Sequence, residues 1–161
     1  MTDINNIKMV CSFYASEWHL VTMLLPNIDK KINKGIKITT ILEKSLKNNM
    51  ETLLKKLKLE NESKILNIGW NKKVLNINKI KELVENNECI IIAGTVEYIK
   101  KAHLMIKDFV NKDQIYTIID CYDINECEQE IKQILNEHEK VLNTAGEKDK
   151  EEYITTIKMA N

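Results

Sequence analysis

The stretch over residues 114–123, QIYTIIDCYD, most restricts the folds open to this chain. Its first half, IYTII, is an unbroken β-favouring run, and it breaks abruptly into the polar and aromatic residues DCYD. A near-continuous apolar run is typical of a strand that helices cover on both faces. Polar residues at the carboxyl end of such a strand are typical of the ligand crevice of an open α/β sheet. The stretch therefore predicts a buried strand with a site at its end, but it does not identify a reaction.

Four further strands are predicted, each followed by a helical pattern. The predicted strands cover residues 7–14, 36–42, 64–70 and 88–94. The predicted helices begin near Ser16, Ser45, Asn78, Val96 and Asn125. Pro26 lies inside the first helical pattern, where it should kink the helix or split it near Leu25. The last helix should run to about residue 142.

This alternation of strands and helices predicts an α/β fold with three αβα layers and a mostly parallel central sheet of about five strands. At 161 residues, the chain is most simply one domain. We expect a single α/β sensory-like domain over residues 1–150. Residues 151–161 (EEYITTIKMAN) should form a C-terminal edge strand or a tail, or an interface between two copies.

Composition argues against several classes of partner. The formal net charge is zero and Lys alternates with Glu along the helical patterns, so we expect neither nucleic acid nor a membrane surface as a partner. Every basic residue is Lys, which removes the bidentate clamp that Arg offers to phosphate or carboxylate. The four Cys form no CxxC pair, no apolar run approaches about 18 residues, and no signal-peptide pattern opens the chain. These features favour reduced thiols and a cytoplasmic location.

If the five predicted strands run parallel, their carboxyl ends meet at one rim of the sheet. Aromatic walls with a few convergent polar groups are typical of a small-molecule pocket. Polar residues also end strands that bind nothing, so this clustering has a bland explanation as well. The residues predicted to bind a ligand at the rim are Tyr14, Trp18, His19, Glu43, Trp70, Gly94, Thr95, Asp120, Cys121 and Tyr122.

Catalytic and metal-binding interpretations receive less support. Cys121 precedes a helical pattern that could favour its thiolate, but a buried, inert thiol explains it more simply. His103 and His138 lie beside apolar stripes, which indicates structural roles. The His and Cys residues show no metal-ligand spacing, so neither a metal site nor a catalytic residue is assigned. The chain has only four isolated Gly, without a P-loop or G-x-G-x-x-G, and its sequence identifies no cofactor.

Three segments resemble the MEDS domain, the sensory module of methanogen and methylotroph regulators. The first is CSFYASEWHLVTMLLPNIDKKINKG, where Phe13, Tyr14, Leu24, Leu25, Pro26 and Gly35 match the family's opening pattern. The others are IIIAGTVEYI, and IIDCYD with its following helix ending in HEKVLN. The resemblance covers about residues 7–143. It implies a degenerate RecA/KaiC-like α/β domain that has lost its nucleotide-binding loop and senses small ligands.

Taken together, these features favour a non-catalytic domain that binds or senses a small molecule and signals through a separate partner protein. One alternative is a small cytosolic enzyme that uses Cys121 or Asp120 with a histidine. Another is a homo-oligomeric scaffold, such as a homodimer that pairs through the final segment.

Overall fold

The computed structural model describes residues 7–154 and has an α/β fold with a six-stranded, mostly parallel sheet. The strands are β1 (Ile7–Tyr14), β2 (Ile38–Leu42), β3 (Cys89–Gly94), β4 (Tyr116–Asp123), β5 (Lys140–Asn143) and β6 (Gly146–Asp149). Their order across the sheet is β2-β3-β4-β1-β5-β6. The first five run parallel, and β6 pairs antiparallel with β5. The predicted fold class is confirmed, with one strand more than the five expected.

Six α-helices connect the strands. They are α1 (Glu17–Asn33), α2 (Lys47–Leu57), α3 (Glu62–Asn67), α4 (Ile77–Asn86), α5 (Val96–Ile106) and α6 (Ile131–Asn136). A 3-10 turn, Glu128–Glu130, leads into α6. Within residues 7–154, no helix combines the length and the apolar character needed to cross a bilayer.

The helices cover the sheet on both faces, and each face has its own apolar core. On one face, α1, α2 and α3 pack through residues such as Leu24, Met50 and Ile65. On the other face, α4, α5 and α6 pack through residues such as Ile80, Ile99 and Leu135. Alternate residues of β4 serve the two cores, with Ile119 and Cys121 in the first and Ile118 and Tyr122 in the second. This arrangement explains why the central strands are apolar almost throughout.

Helix α1 begins and ends close to where its sequence indicates. Ser16 is the N-cap, and its Oγ accepts a hydrogen bond from the backbone N–H of His19 at 3.1 Å. Gly35, just beyond the end of the helix, has a φ of +77°, which a residue with a Cβ adopts only with strain. Pro26 was expected to kink or split this helix, and of these two outcomes the split does not occur, because α1 is continuous from Glu17 to Asn33.

Two predicted elements have the wrong secondary structure. Residues 64–70 were expected to form a strand, but residues 62–67 form α3, which buries Ile65 and leaves Leu66 exposed. A short apolar run does not distinguish a strand from a helical turn, and packing against α1 and α2 decides for the helix here. The helix predicted from Asn125 to about residue 142 is instead the 3-10 turn, α6 and β5, because residues 140–143 pair with β1.

The predicted edge strand or tail over residues 151–161 is described only at its beginning. Residues 150–154 are helical, and residues 155–161 lie outside the described part of the chain. The ring of Tyr153 stacks on Phe13 with centroids 5.6 Å apart. The first residues of this segment therefore pack on the same core as β1.

Candidate functional site

A cavity of about 480 Å³ opens at the carboxyl ends of β1, β3 and β4. Parallel register aligns these ends, since Tyr14 lies beside Asp123, and Gly94 lies beside Tyr122. The chain leaves β1 for α1 on one face of the sheet and leaves β4 for α6 on the other. Such a divergence between adjacent strands opens a crevice, which is where open α/β sheets bind ligands. We call this cavity the rim cavity; its lining residues are Tyr14, Ser16, Glu17, Leu20, Glu43, Lys44, Leu46, Ala93, Gly94, Thr95, Asp123 and Glu126.

Gly94 and Glu43 form a tightly packed wall of the rim cavity. An added Cβ at Gly94 would lie 2.7 Å from Cδ1 of Tyr98 and 2.8 Å from Oε1 of Glu43, so only glycine fits without a shift. Oε1 of Glu43 accepts a hydrogen bond from the backbone N–H of Thr95 at 2.8 Å. Oγ1 of Thr95 in turn caps α5 by accepting from the N–H of Tyr98 at 3.1 Å. Helix α5 and the loop after β2 are thus held together at the cavity.

The rest of the lining combines one aromatic ring with an excess of carboxylates. Burial raises the pKa of Tyr14 above its ordinary value, and the nearby carboxylate of Asp123 raises it further, so the phenol stays neutral and can donate a hydrogen bond. Four carboxylates and one ammonium group line the cavity, from Glu17, Glu43, Asp123, Glu126 and Lys44. This balance favours neutral or cationic ligands over anions.

Four of the ten predicted site residues line the rim cavity: Tyr14, Glu43, Gly94 and Thr95. Trp18 and His19 follow β1 as expected, but they do not line the rim cavity. Trp18 is half exposed on α1. Nδ1 of His19 accepts a hydrogen bond from the backbone N–H of Ala15 at 2.9 Å, and the backbone N–H of His19 donates to Oγ of Ser16. The arrangement is similar to a capping box, except that the side chain at the third helical position accepts from the residue before the N-cap, and it accounts for His19 without a ligand.

Trp70 is a core residue rather than a wall of the rim cavity. The residue is 2 % exposed, and its indole N–H donates to the carbonyl oxygen of Ile65 at 2.8 Å. The prediction that placed it at the end of a third strand is wrong because that strand does not form. The Trp follows α3 instead and packs in the core formed by α1, α2 and α3.

Asp120, Cys121 and Tyr122 were expected at the rim, but they lie inside β4, which extends to Asp123. Cys121 faces the core under α1, and Tyr122 faces the opposite core, where it stacks against Phe13 with centroids 6.0 Å apart. Asp120 is fully buried. A polar residue that follows an apolar run is typical of the end of a strand. Asp120 is instead internal, because side chains from elsewhere in the chain donate hydrogen bonds to its carboxylate.

Those partners are two histidines. Nε2–H of His103 on α5 donates to one carboxylate oxygen of Asp120 at 2.8 Å, and Nε2–H of His138, in the turn before β5, donates to the other at 2.7 Å. Nδ1 of His138 lies within hydrogen-bonding distance of the carbonyl oxygen of Ile134. We call the group His103–Asp120–His138 the buried triad. It joins α5 and the turn before β5 to the central strand.

The contacts of the buried triad shift the pKa values of Asp120 and His103. Burial by itself would raise the pKa of Asp120, but the hydrogen bonds and charges of the two histidines outweigh it and lower that pKa below its ordinary value. Burial also opposes protonation of His103, yet the hydrogen bond to Asp120 and its charge raise the pKa of this imidazole. Both shifts favour the ionised pair. The sequence placed both histidines beside apolar stripes but carried no signal that they share one carboxylate.

The thiol of Cys121 is poorly suited to nucleophilic catalysis. It is fully buried, and burial together with the charge of Asp120 raises its pKa well above the ordinary value. Its side chain and that of Asp120 point to opposite faces of β4, since the two residues are consecutive in a strand. Neither histidine of the triad is therefore placed to deprotonate it.

Eight of the twelve residues that line the rim cavity were not among the predicted ligand-binding residues. Lys44 and Glu126 are two of these eight. Each lies in a loop after a strand end, where no local pattern distinguishes a lining residue from a solvated one. In the described part of the chain, no group of three or more His, Cys, Asp or Glu side chains is arranged to hold a metal ion. No model of a known protein family matches the chain, and no curated protein sequence matches it.

Proposed function

We propose that this protein is a non-catalytic small-molecule-binding domain whose ligand occupies the rim cavity and which signals through a separate protein partner. The observation that carries the proposal is the cavity itself. It has a volume of about 480 Å³, within the range of about 300–1,000 Å³ typical of ligand pockets, and it lies at the crevice where β1 and β4 diverge.

The chemistry of the lining supports binding rather than a reaction. Tyr14 supplies an aromatic face and a neutral hydroxyl, and Thr95 and Glu43 supply polar atoms beside it. The carboxylate of Glu43 is already engaged by the N–H of Thr95, so it serves more as a fixed acceptor than as a free general base. A neutral or cationic ligand with an aromatic or apolar part fits these groups.

A signalling role agrees with the resemblance to the MEDS sensory domain. The contacts around Gly94 provide a way in which a bound ligand could be signalled. The loop after β2 carries Glu43, and α5 begins at Thr95, so both elements border the ligand. A ligand that displaces Glu43 would release the N–H of Thr95 and shift α5 relative to β2. Such a shift is a change that a partner protein could detect.

The test is a thermal-shift screen of the purified protein against a metabolite library that is divided into neutral, cationic and anionic compounds. Ligands should come from the neutral and cationic groups and should raise Tm in proportion to the logarithm of their concentration. Binding should then be mapped by amide chemical shifts, with changes concentrated around Tyr14, Gly94 and Thr95. Tryptophan fluorescence is a poor reporter because Trp18 is exposed outside the cavity and Trp70 is buried in the core.

A matched pair of variants makes the test specific to the cavity. Glu126→Trp puts a bulky ring at an exposed position on the lining and should abolish the Tm increase. Glu128→Trp makes the same change at an exposed position outside the lining and should preserve it. A screen without a single ligand, or a ligand that binds both variants equally well, would refute the proposal.

A further inference from the structure

A second concave surface lies far from the rim, over the amino-terminal halves of β1 and β4. Its volume is about 510 Å³, and Ile7, Met9 and Ile118 form its floor. Ile7 and Met9 are partly exposed here, whereas Ile118 is almost fully buried at 3 % exposure. Leu104 on α5 forms one wall and is 62 % exposed. We call this surface the α5 groove.

The polar groups of the α5 groove are concentrated on one face of α5. Lys100, His103, Leu104 and Lys107 follow the i, i+3, i+4, i+7 spacing that places side chains on a single helix face. Neither lysine forms an ion pair with another residue of the described chain. Among residues 7–154, Glu137 is the one carboxylate on the groove's lining, and its side chain accepts a hydrogen bond from Gln133.

His103 connects the α5 groove to the buried triad. Its Nε2–H is held by Asp120, and within residues 7–154 its Nδ1 has no hydrogen-bond partner. The side chain is 29 % exposed and lines the groove, so a molecule in the groove can contact this imidazole. A carboxylate that fixes one imidazole nitrogen orients the ring and leaves the other nitrogen to meet a ligand.

We propose that the α5 groove binds a small amphipathic carboxylate, with its carboxylate group beside His103 and its apolar chain on the floor of the groove. The ammonium groups of Lys100 and Lys107 at the edge of the groove attract an anion and repel a cation. The floor is apolar and accommodates an aliphatic chain by removing it from water. The site is separate from the rim cavity. It favours an anionic ligand, whereas the rim cavity favours neutral or cationic ligands.

Decanoate is a suitable probe, and decyltrimethylammonium is its control because it has the same chain length and the opposite head charge. Isothermal titration calorimetry below the micellar concentration of each compound should show saturable binding of decanoate and at least tenfold weaker binding of the cation. Amide chemical shifts should change at Met9, Ile118 and Leu104. Saturable binding of decanoate elsewhere on the protein would overturn the proposal.

Two variants test the groove without disturbing the triad. Leu104→Glu places a carboxylate in the wall at an exposed position, and it should weaken decanoate binding by at least tenfold. Leu57→Glu makes the same substitution at a comparably exposed position, 49 %, at the end of α2 on the opposite face of the sheet. It should leave decanoate binding unchanged. Equal effects of the two substitutions would overturn the proposal.

The dependence of binding on pH tests the role of His103. The groups around this imidazole are Asp120 from β4, His138 behind that carboxylate, Glu137 after α6, and Lys100 and Lys107 on α5. A protonated ring donates from Nδ1 to the ligand, whereas a neutral ring whose Nε2–H is held by Asp120 presents a lone pair there. Decanoate binding should therefore be several-fold stronger at pH 6 than at pH 9, and His103→Gln should remove this difference.

Other occupants of the groove give different results. If a second copy of the chain covers it, light scattering should show a dimer that Leu104→Glu converts to a monomer, and decanoate should not bind. That outcome refutes the proposal and leaves the rim cavity unaffected. An unchanged affinity between pH 6 and pH 9 likewise refutes the assignment of His103 as the group that meets the carboxylate.

Discussion

Asp120→Asn should destabilise the protein by about 3–5 kcal/mol, because removing one partner of a buried ion pair leaves the other charge without compensation. Asp120 is fully buried and accepts hydrogen bonds from two histidines at 2.8 and 2.7 Å. The asparagine keeps the size of the side chain but removes the charge, and its amide group cannot accept from both rings. For a chain of this size the loss corresponds to a decrease in Tm of at least about 6 °C.

Urea denaturation measures this loss directly. Far-ultraviolet circular dichroism and the fluorescence of the buried Trp70 should report the same transition. Asp108→Asn is the matched control, since it makes the same substitution at an exposed position just after α5, and it should change the free energy of unfolding by less than about 0.5 kcal/mol. A loss below about 1 kcal/mol for Asp120→Asn would show that the triad contributes no more than an ordinary hydrogen bond.

The pH dependence of stability provides a second check on the triad. The pKa of Asp120 is lowered in the folded protein, so its contribution is present above the unfolded value of about 3.9 and is lost as pH falls through the folded value. The pKa of His103 is raised, so its contribution is complete below the unfolded value of about 6.5 and is lost as pH rises through the folded value. The triad should therefore stabilise most between about pH 4 and 6.5, and Asp120→Asn should flatten the decline above this window.

Three further predictions concern other parts of the molecule. Gly94→Ala should lower the free energy of unfolding by about 1–3 kcal/mol in a thermal or urea titration, because its Cβ would overlap Tyr98 and Glu43; an unchanged stability would show that this wall can move. Glu147 accepts hydrogen bonds from Lys8, Asn27 and Lys31, and these contacts outweigh the effect of burial and lower its pKa to about 2. Its stabilising contribution should therefore be lost as pH falls from about 4.5 to 2. Glu147→Gln should remove that part of the acid sensitivity in a urea titration. Burial raises the pKa of all four cysteine thiols, to about 12 for Cys11 and Cys89 and to about 11 for Cys127. None of them should therefore react with a disulfide reagent at pH 8 in the native protein, and all should react in urea. One rapidly reacting thiol in the native protein would instead favour the enzymatic alternative.

Local patterns in the sequence predicted the strands that both cores depend on. The runs that became β1, β2, β3 and β4 are strongly apolar, and a strand covered on both faces requires this composition wherever it lies in the sheet. Caps were equally local. Ser16 before α1 and Gly35 after it fulfil requirements of the helix ends that involve only adjacent residues.

Four of the predicted site residues share the rim cavity for the same reason. Tyr14, Glu43, Gly94 and Thr95 line the rim cavity because each follows or ends a parallel strand, and parallel strands end at one edge. The other six predicted residues do not line this cavity. Trp70 followed a helix instead of a strand, and His19 is used by the cap of α1.

The α/β class and the edge of the sheet that carries the rim cavity are consequences of hydrophobic patterning, which is a property of short segments and can be inferred from them. The position of Asp120 inside a strand depends on two histidines that lie 17 and 18 residues away from it along the chain and meet it only after α5 and α6 have packed. The α5 groove likewise combines side chains from β1, β4, α5 and the turn after α6, which are distant from one another in the sequence. Contacts of this kind join segments whose local patterns are independent of each other, so only the folded arrangement determines them.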